Sequence, residues 1–197
     1  MEDFGFGFYF NMGWHHIISW DALDHQLFIL ALAAIYLLKD WKRVLILVTA
    51  FTIGHSLTLA LSVLDVIRLH REIVEFLIAC TILVTAVSNL FQKKFTNESI
   101  RINYFLALFF GLIHGLGFAN TIRIMLPSGE KIFFPLLGFN LGLEAGQIMV
   151  VLNILLFSFL FVNKLKVNRR EWVIFVSAAA FSIALKMAVE RVGELGN

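Results

Sequence analysis

The chain has 197 residues, of which 59% are hydrophobic and only 15% are charged. A typical soluble domain is roughly 45–50% apolar and about a quarter charged, so this composition indicates lipid rather than water as the surrounding solvent. The formal net charge of +2 is too small to indicate nucleic-acid binding, and the one cysteine excludes an internal disulfide and a thiolate metal cage.

Long apolar runs separated by short polar loops predict a polytopic helical bundle. A bilayer core of about 30 Å needs roughly 20 mainly apolar residues per transmembrane helix. We expect an all-α integral membrane protein, a single domain over 1–197, with about six transmembrane helices at 22–38, 44–64, 73–92, 102–122, 132–162 and 172–189. The runs do not alternate as barrel strands do, and an open sheet would leave unpaired edge amides in lipid.

Residues 4–20 precede the first expected span and mix aromatic residues with glycines. Gly5, Gly7, Asn11 and Gly13 interrupt the apolar pattern, and glycine weakens the interior of a helix. We therefore expect an interfacial or re-entrant N-terminal segment here rather than a seventh span.

Basic residues are distributed unequally between the two sets of loops. The loops after the first, third and fifth expected spans hold ten lysines and arginines, whereas the other side holds six. Because cytoplasmic loops carry an excess of Lys and Arg, we expect loops 39–43, 93–101 and 163–171 to be cytoplasmic. Both termini then lie outside the cytoplasm, and the expected location is a bacterial inner membrane.

Several histidines and acids fall within or beside the expected spans at a similar depth. Ionisable side chains in hydrocarbon are expensive, usually face the bundle interior and mark function. The outer half of the membrane is expected to hold a metal site formed by His16, Asp24, His25, His55, His114 and Glu144. Glu75, Asn140 and Gln147 are expected to support it. Taken singly, His55 or His114 is as readily explained as a hydrogen-bonding residue between helices.

The ligand types restrict the ion. Imidazole and carboxylate groups suit divalent zinc, nickel, cobalt, iron or manganese, whereas copper(I) prefers cysteine or methionine. A proton relay of histidine and glutamate is the rival interpretation that needs no metal. The chain has no glycine-rich phosphate loop, nucleophile elbow or HExxH sequence, which are motifs of common soluble enzymes.

Motifs in a fixed order are similar to those of a known membrane protein family. They are GWHHI and DHQLF near the start, FTIGHSLTL at 51–59, GLIHGLGFA at 111–119 and FNLGLEAGQ at 139–147. Over about residues 10–155 the chain thereby resembles the HupE/UreJ family, whose members are usually called nickel or cobalt permeases. The resemblance implies a polytopic helical fold that handles a divalent metal ion. His16 lies eight residues before Asp24, which departs from the His-x4-Asp-His pattern of other nickel permeases.

Three functional interpretations remain open at this point. The leading one is a divalent metal ion permease or metal-handling membrane protein, and the alternative is an intramembrane metal-dependent hydrolase or oxidoreductase using the same site. A structural or assembly subunit would need no metal. The resemblance favours transport, whereas the scarcity of ligands in the inner half favours the enzyme, because a permease needs an exit path. The expected partners are the lipid bilayer and a metal ion, with no nucleic acid.

Overall fold

A computed structural model describes residues 5–92, 97–118, 122 and 132–195. Its helices are α1 (Phe6–Ile18), α2 (Leu23–Ala33), α3 (Trp41–Val63), α4 (Arg71–Phe91), α5 (Asn97–Gly117), α6 (Phe133–Ser158) and α7 (Arg169–Glu194). Short 3-10 turns at Trp20–Ala22 and Leu38–Asp40 precede α2 and α3, and a π-helical turn at Phe159–Lys164 extends α6. No strand occurs within these described ranges, which confirms the expected all-α fold.

Four helical segments are long and apolar enough to cross a membrane: Leu38–Val63, Arg71–Phe91, Phe133–Lys164 and Arg169–Glu194. They coincide with the second, third, fifth and sixth expected spans. The apolar part of α5, Ile102–Gly117, is shorter, and residues 119–121 of the fourth expected span lie outside the described residues. These helices indicate an integral membrane protein, and a total of about six crossings stays a prediction.

Large apolar side chains cover the outside of the bundle as well as its interior. Ile53, Phe105 and Phe175 are 58%, 69% and 72% exposed. Tyr9 and Phe28, by contrast, are fully enclosed between the helices. Helices that are apolar on all sides belong either in a large core or in a membrane, and lipid explains the apolar exterior here.

The first helix packs along α6 through closely approaching backbones. A Cβ atom added at Gly13 would overlap the backbone of Phe139, and one added at Gly142 would overlap the backbone of Phe10. Small residues of this kind let membrane helices approach closely. Gly7 and Gly13 therefore lie within a regular helix, although we expected them to interrupt it. The 13 residues of α1 extend over about 20 Å, which is less than a bilayer core, so α1 alone is too short to cross it.

The second helix continues in the direction of α1 after the intervening 3-10 turn. Ile17 of α1 lies beside Gly146 of α6, and Leu32 of α2 lines a small cavity with Val151, further along α6. The side chain of Gln26 donates to the carbonyl oxygen of Ile17 at 3.0 Å, which satisfies a group at the end of α1. The junction between α1 and α2 is therefore a defined break between two short helices.

Helices α3 and α5 are held together by the same kind of contact as α1 and α6. A Cβ atom at Gly54 would overlap the backbone of Leu108, and one at Gly115 would overlap the backbone of His55. The close approach fixes His55 opposite the turn of α5 that carries His114.

Three chain turns meet at one end of the bundle, which we call the loop face. Arg169, at the start of α7, donates to the carbonyl oxygen of Ile35 at 2.5 Å. Arg170 donates to the carbonyl oxygen of Gln92, just after α4, at 2.7 Å, and Ser158 at the end of α6 donates to the turn after α2 at 3.3 Å. The turns after α2, α4 and α6 thus share one face, as the expected topology requires.

Candidate metal centre

Three histidines from different helices converge inside the bundle. His16 belongs to the last turn of α1, His25 to the first turn of α2 and His55 to α3. A ligand nitrogen from each lies within 4.8 Å of the other two. The break between α1 and α2 makes this possible, because it brings the rings of His16 and His25 together with 4.7 Å between their centroids.

His114 of α5 packs against the same group. Its ring centroid lies 4.8 Å from that of His25. Its Nδ1 lies 2.9 Å from the carbonyl oxygen of Phe110, and because a carbonyl only accepts, Nδ1 is the donor. This tautomer leaves Nε2 with the free lone pair. His114 thus presents the ligand atom that a metal ion would need.

The four rings share a property that ordinary packing does not explain. The Nε2 atoms of His16, His25, His55 and His114 are buried and make no hydrogen bond to any described residue. A buried polar atom without a partner costs about 1–3 kcal/mol, so four such atoms in one place are a large penalty for a purely structural cluster. Neutral imidazole nitrogen is the commonest metal donor in proteins, and the donor set therefore fits a metal ion.

Asp24 lies behind His25 rather than among the four ring nitrogens. One of its carboxylate oxygens accepts hydrogen bonds from the backbone N–H of His25 at 2.7 Å and from its Nδ1 at 2.9 Å. Carboxylates in this position fix the tautomer and orientation of a metal-binding histidine. Asp24, which we expected to be a ligand, is hydrogen-bonded to His25 in this arrangement.

Phenylalanine rings enclose the histidines. Measured between ring centroids, Phe118 lies 4.1 Å from His16 and Phe139 lies 6.1 Å from His55. Phe51 packs against the rings of His25, His55 and His114. Apolar walls exclude water and lower the local dielectric, which strengthens every electrostatic interaction inside them. An ion held here would depend on protein ligands rather than on water.

Two polar residues of α6, Glu144 and Gln147, form hydrogen bonds with threonines of α3. The Glu144 carboxylate accepts a hydrogen bond from Thr49 Oγ1 at 2.7 Å. The side-chain oxygen of Gln147 accepts one from Thr52 Oγ1 at 3.0 Å. Glu144, which we expected among the metal ligands, is hydrogen-bonded to a threonine of α3.

The remaining supporting residues occupy two separate places. Asn140 lies beside the ring of His55, but its buried Oδ1 makes no hydrogen bond of normal geometry with the described part of the chain. Glu75 pairs with Arg71 at 2.5 Å and also with Arg191, at the end of the bundle opposite the loop face. Asn140 thus adjoins the histidine group, and Glu75 belongs to a surface ion-pair network.

Two parts of this arrangement were missed by reasoning from the sequence. Thr49 was not recognised as the partner of Glu144, although Thr49, Thr52 and His55 are spaced i, i+3, i+6 and share one stripe of a helix. That spacing was the available signal. The phenylalanine walls gave no signal, because 21 phenylalanines are spread over the whole chain.

Comparison with known proteins agrees with the motifs. A family model described as HupE / UreJ protein matches residues 2–191, which is more of the chain than the motifs cover. No curated protein and no solved structure matches the chain. The matched family is associated with nickel and cobalt transport, and the grouped histidines are the residues here that fit a metal ion. This chain is therefore a member of the HupE/UreJ family.

Proposed function

We propose that this protein is a divalent metal ion permease whose intramembrane site consists of His16, His25, His55 and His114. The observation that carries the proposal is the packing of four histidine rings whose buried Nε2 atoms lack hydrogen-bond partners among the described residues. Ligand nitrogens of three of them, His16, His25 and His55, lie within 4.8 Å of one another. Imidazole ligands suit zinc, nickel, cobalt and iron in the divalent state. The metal ion is then the transported substrate, and the histidines hold it on its way through the membrane.

The charge of the ligand set supports transport over permanent binding. Four neutral imidazoles do not compensate a divalent charge, and the nearby carboxylate of Asp24 is engaged by His25. A charge buried in a medium of low dielectric needs opposite charge close by. A set of neutral ligands with one carboxylate behind it should release an ion more readily than a cage of thiolates or carboxylates, and a permease must release its substrate.

An intramembrane metal-dependent enzyme is the second candidate. Its supporting observation is the hydrogen bond between Asp24 and His25, since catalytic metal sites commonly use a carboxylate to orient a histidine ligand. The enclosing phenylalanines would also protect a reactive centre from bulk water. A bound metal would supply a Lewis acid or an activated water there. This reading requires the metal to stay bound, whereas the permease requires it to move.

Transport is tested directly with the purified full chain in proteoliposomes. We expect uptake of zinc, nickel or cobalt ions above that of empty vesicles, and His55→Ala should reduce it to the empty-vesicle level. His70→Ala is the matched control, because His70 is exposed. Stoichiometric metal that survives purification, with no flux in either direction, would rule out the permease and favour the enzyme.

We further propose that the loop face is cytoplasmic and that both termini lie outside, in a bacterial inner membrane. The proposal rests on the excess of basic residues in the loops assigned to that face. In a Cys80→Ser background, an impermeant thiol reagent added to intact cells should label Arg68→Cys and miss Lys166→Cys. Both positions are exposed, on opposite ends of the bundle. The reverse labelling pattern would invert the topology.

A further inference from the structure

A second set of potential ligand atoms, separate from the four histidines, lies between α3 and α6. Thr49 donates to Glu144 at 2.7 Å and Thr52 donates to Gln147 at 3.0 Å. Within each helix the two residues are three positions apart, so they share a face. Because α3 begins and α6 ends at the loop face, the two helices run in opposite directions and the two pairs cross between them. Thr52 and Gln147 are buried, whereas Thr49 is exposed and Glu144 is half-buried. We call these four residues the oxygen ladder.

The oxygen ladder lies between the histidine group and the loop face. Thr52 and Thr49 precede His55 by three and six residues on α3, which corresponds to about 5 and 9 Å along the helix axis. Helix α3 begins at the loop face with Trp41. An ion that left the histidines toward the loop face would therefore meet the ladder next.

The Glu144 carboxylate has no charge partner among the described residues. The one hydrogen bond that it accepts from the described residues comes from Thr49, although an ionised carboxylate can accept about four. No lysine, arginine or histidine of the described residues forms an ion pair with it. Acids inside membrane helices are rare and mark ion or proton pathways. The free accepting capacity of Glu144 is available to a cation.

Asn140 connects the ladder to the histidines. It lies one helical turn before Glu144 on α6 and beside the ring of His55. Its Oδ1 is buried without a normal hydrogen bond to the described residues, and its Nδ2 donates to the carbonyl oxygen of Leu136 at 2.8 Å. A side-chain oxygen with unused lone pairs thus lies between the two sets of ligands.

Apolar side chains line the contact between the ladder and the loop face. Between α2, α3 and α6 there is a cavity of only about 10 Å³, whose lining includes Gln147 and the apolar residues Leu32, Val44, Val48 and Val151. About 10–15 Å³ is the least that can hold one water molecule. An ion that moved from the ladder toward the loop face through this contact would have to pass these apolar side chains.

We propose that the oxygen ladder is a second cation-binding site, in which Glu144 supplies the charge and Gln147, Thr49 and Thr52 supply neutral oxygen atoms. A threonine hydroxyl has two lone pairs, so each can bind a cation while its hydrogen still points at the facing oxygen. Oxygen ligands prefer harder ions such as manganese(II), whereas the imidazole site prefers zinc or nickel. Cation binding at the ladder does not depend on the permease proposal. Only the idea that a transported ion binds the ladder after leaving the histidines rests on that proposal.

The test measures manganese(II) binding to the full chain in lipid nanodiscs by electron paramagnetic resonance. Zinc is added first to fill the histidine site, and the uncomplexed zinc is removed. We expect one manganese site per wild-type chain, and Glu144→Gln should weaken its affinity at least tenfold. Thr81→Val is the matched control, because the Thr81 hydroxyl bonds to the carbonyl oxygen of Ile78 in its own helix. Circular dichroism melting establishes that each variant is folded.

The outcomes separate this proposal from the proposed function. Equal manganese affinity in wild type and Glu144→Gln, or no manganese binding to the wild type, overturns the ladder and leaves the histidine site untouched. Manganese binding that depends on Glu144 supports the ladder even if the histidines bind no zinc. Thr52→Val provides a second check that does not alter charge, and it should weaken manganese binding less than Glu144→Gln does.

Discussion

Two regions of the bundle bury polar side chains, and they differ in whether those side chains are paired. In the contact of α2, α4 and α7, Asn89 Nδ2 donates both to the carbonyl oxygen of Ala31 at 2.6 Å and to Ser177 Oγ at 3.2 Å. Arg170 donates to the nearby carbonyl oxygens at the end of α4. In the histidine group, four buried Nε2 atoms make no hydrogen bond to the described residues.

The difference distinguishes a structural polar cluster from a ligand-binding one. Buried hydrogen-bonded groups hold helices together, whereas a concentration of buried unpaired groups is costly and is explained by a bound ion. Burying polar side chains inside the membrane is unfavourable in both regions. The comparison predicts that substitutions in the first region change stability without changing metal binding, and that substitutions in the second change metal binding first.

The largest expected effect is the loss of a ligand. His55→Ala and His114→Ala should each weaken metal affinity at least about a hundredfold, since even residues that only orient a ligand contribute about 10–100-fold. Elemental analysis after equilibrium dialysis against zinc measures the metal affinity of each variant. His70→Ala, at an exposed position, should match the wild type. Equal metal content in all three variants would make these histidines packing residues.

A substitution at the close contact between α1 and α6 should change both stability and metal affinity. In Gly142→Ala the new Cβ overlaps the backbone of Phe10, so α1 must move away from α6 and carry His16 with it. Overpacking typically costs about 1–3 kcal/mol of stability, and metal affinity should fall as well. Gly7→Ala is the control in α1, because a Cβ there meets nothing within 4 Å. Unchanged metal affinity in Gly142→Ala would mean that His16 is not held by this contact.

The paired region should respond in stability alone. Asn89→Ala leaves the Ala31 carbonyl and the Ser177 hydroxyl without their shared donor, which should lower the free energy of unfolding by about 1–3 kcal/mol. Thermal unfolding in detergent, with metal analysis of the folded fraction, measures both quantities. The exposed Ser182→Ala is the matched surface control. A drop in metal bound per folded chain would break the proposed distinction.

Much of the fold was predictable because lipid imposes a length on each helix. The expected spans at 44–64, 73–92, 132–162 and 172–189 each contain an apolar run close to the roughly 20 residues that a bilayer requires. Helix α1 was not predictable in the same way. Its glycines weaken a helix in isolation, and only contact with Gly142 of α6 turns Gly13 into a packing surface.

For the site, depth was predictable and side-chain direction was not. The rise of about 1.5 Å per residue places histidines of different helices at one level, and His16, His25 and His55 do converge. Which way a carboxylate points depends on tertiary neighbours. Glu144 turned toward Thr49, and Glu75 turned toward Arg71 and Arg191. No spacing rule within one helix gives these partners.

The smallest expected effect comes from a substitution of Asp24, the residue that orients the expected ligand His25. Asp24→Asn keeps an oxygen beside Nδ1 of His25 but removes the negative charge, so His25 Nε2 stays in place with a less basic ring. Metal affinity should fall about tenfold, as for other carboxylates that orient a metal-binding histidine, and the free energy of unfolding should change little.

Asp21→Asn is the matched control for Asp24→Asn, because Asp21 is exposed one turn earlier. The zinc affinities of both variants are compared with that of His25→Ala, which lacks a metal ligand. A ligand lost from the metal should cost far more than a partner lost from behind the ligand. If Asp24→Asn binds zinc as poorly as His25→Ala, the carboxylate is itself a metal ligand, and the hydrogen bond to Nδ1 gives way when the ion binds.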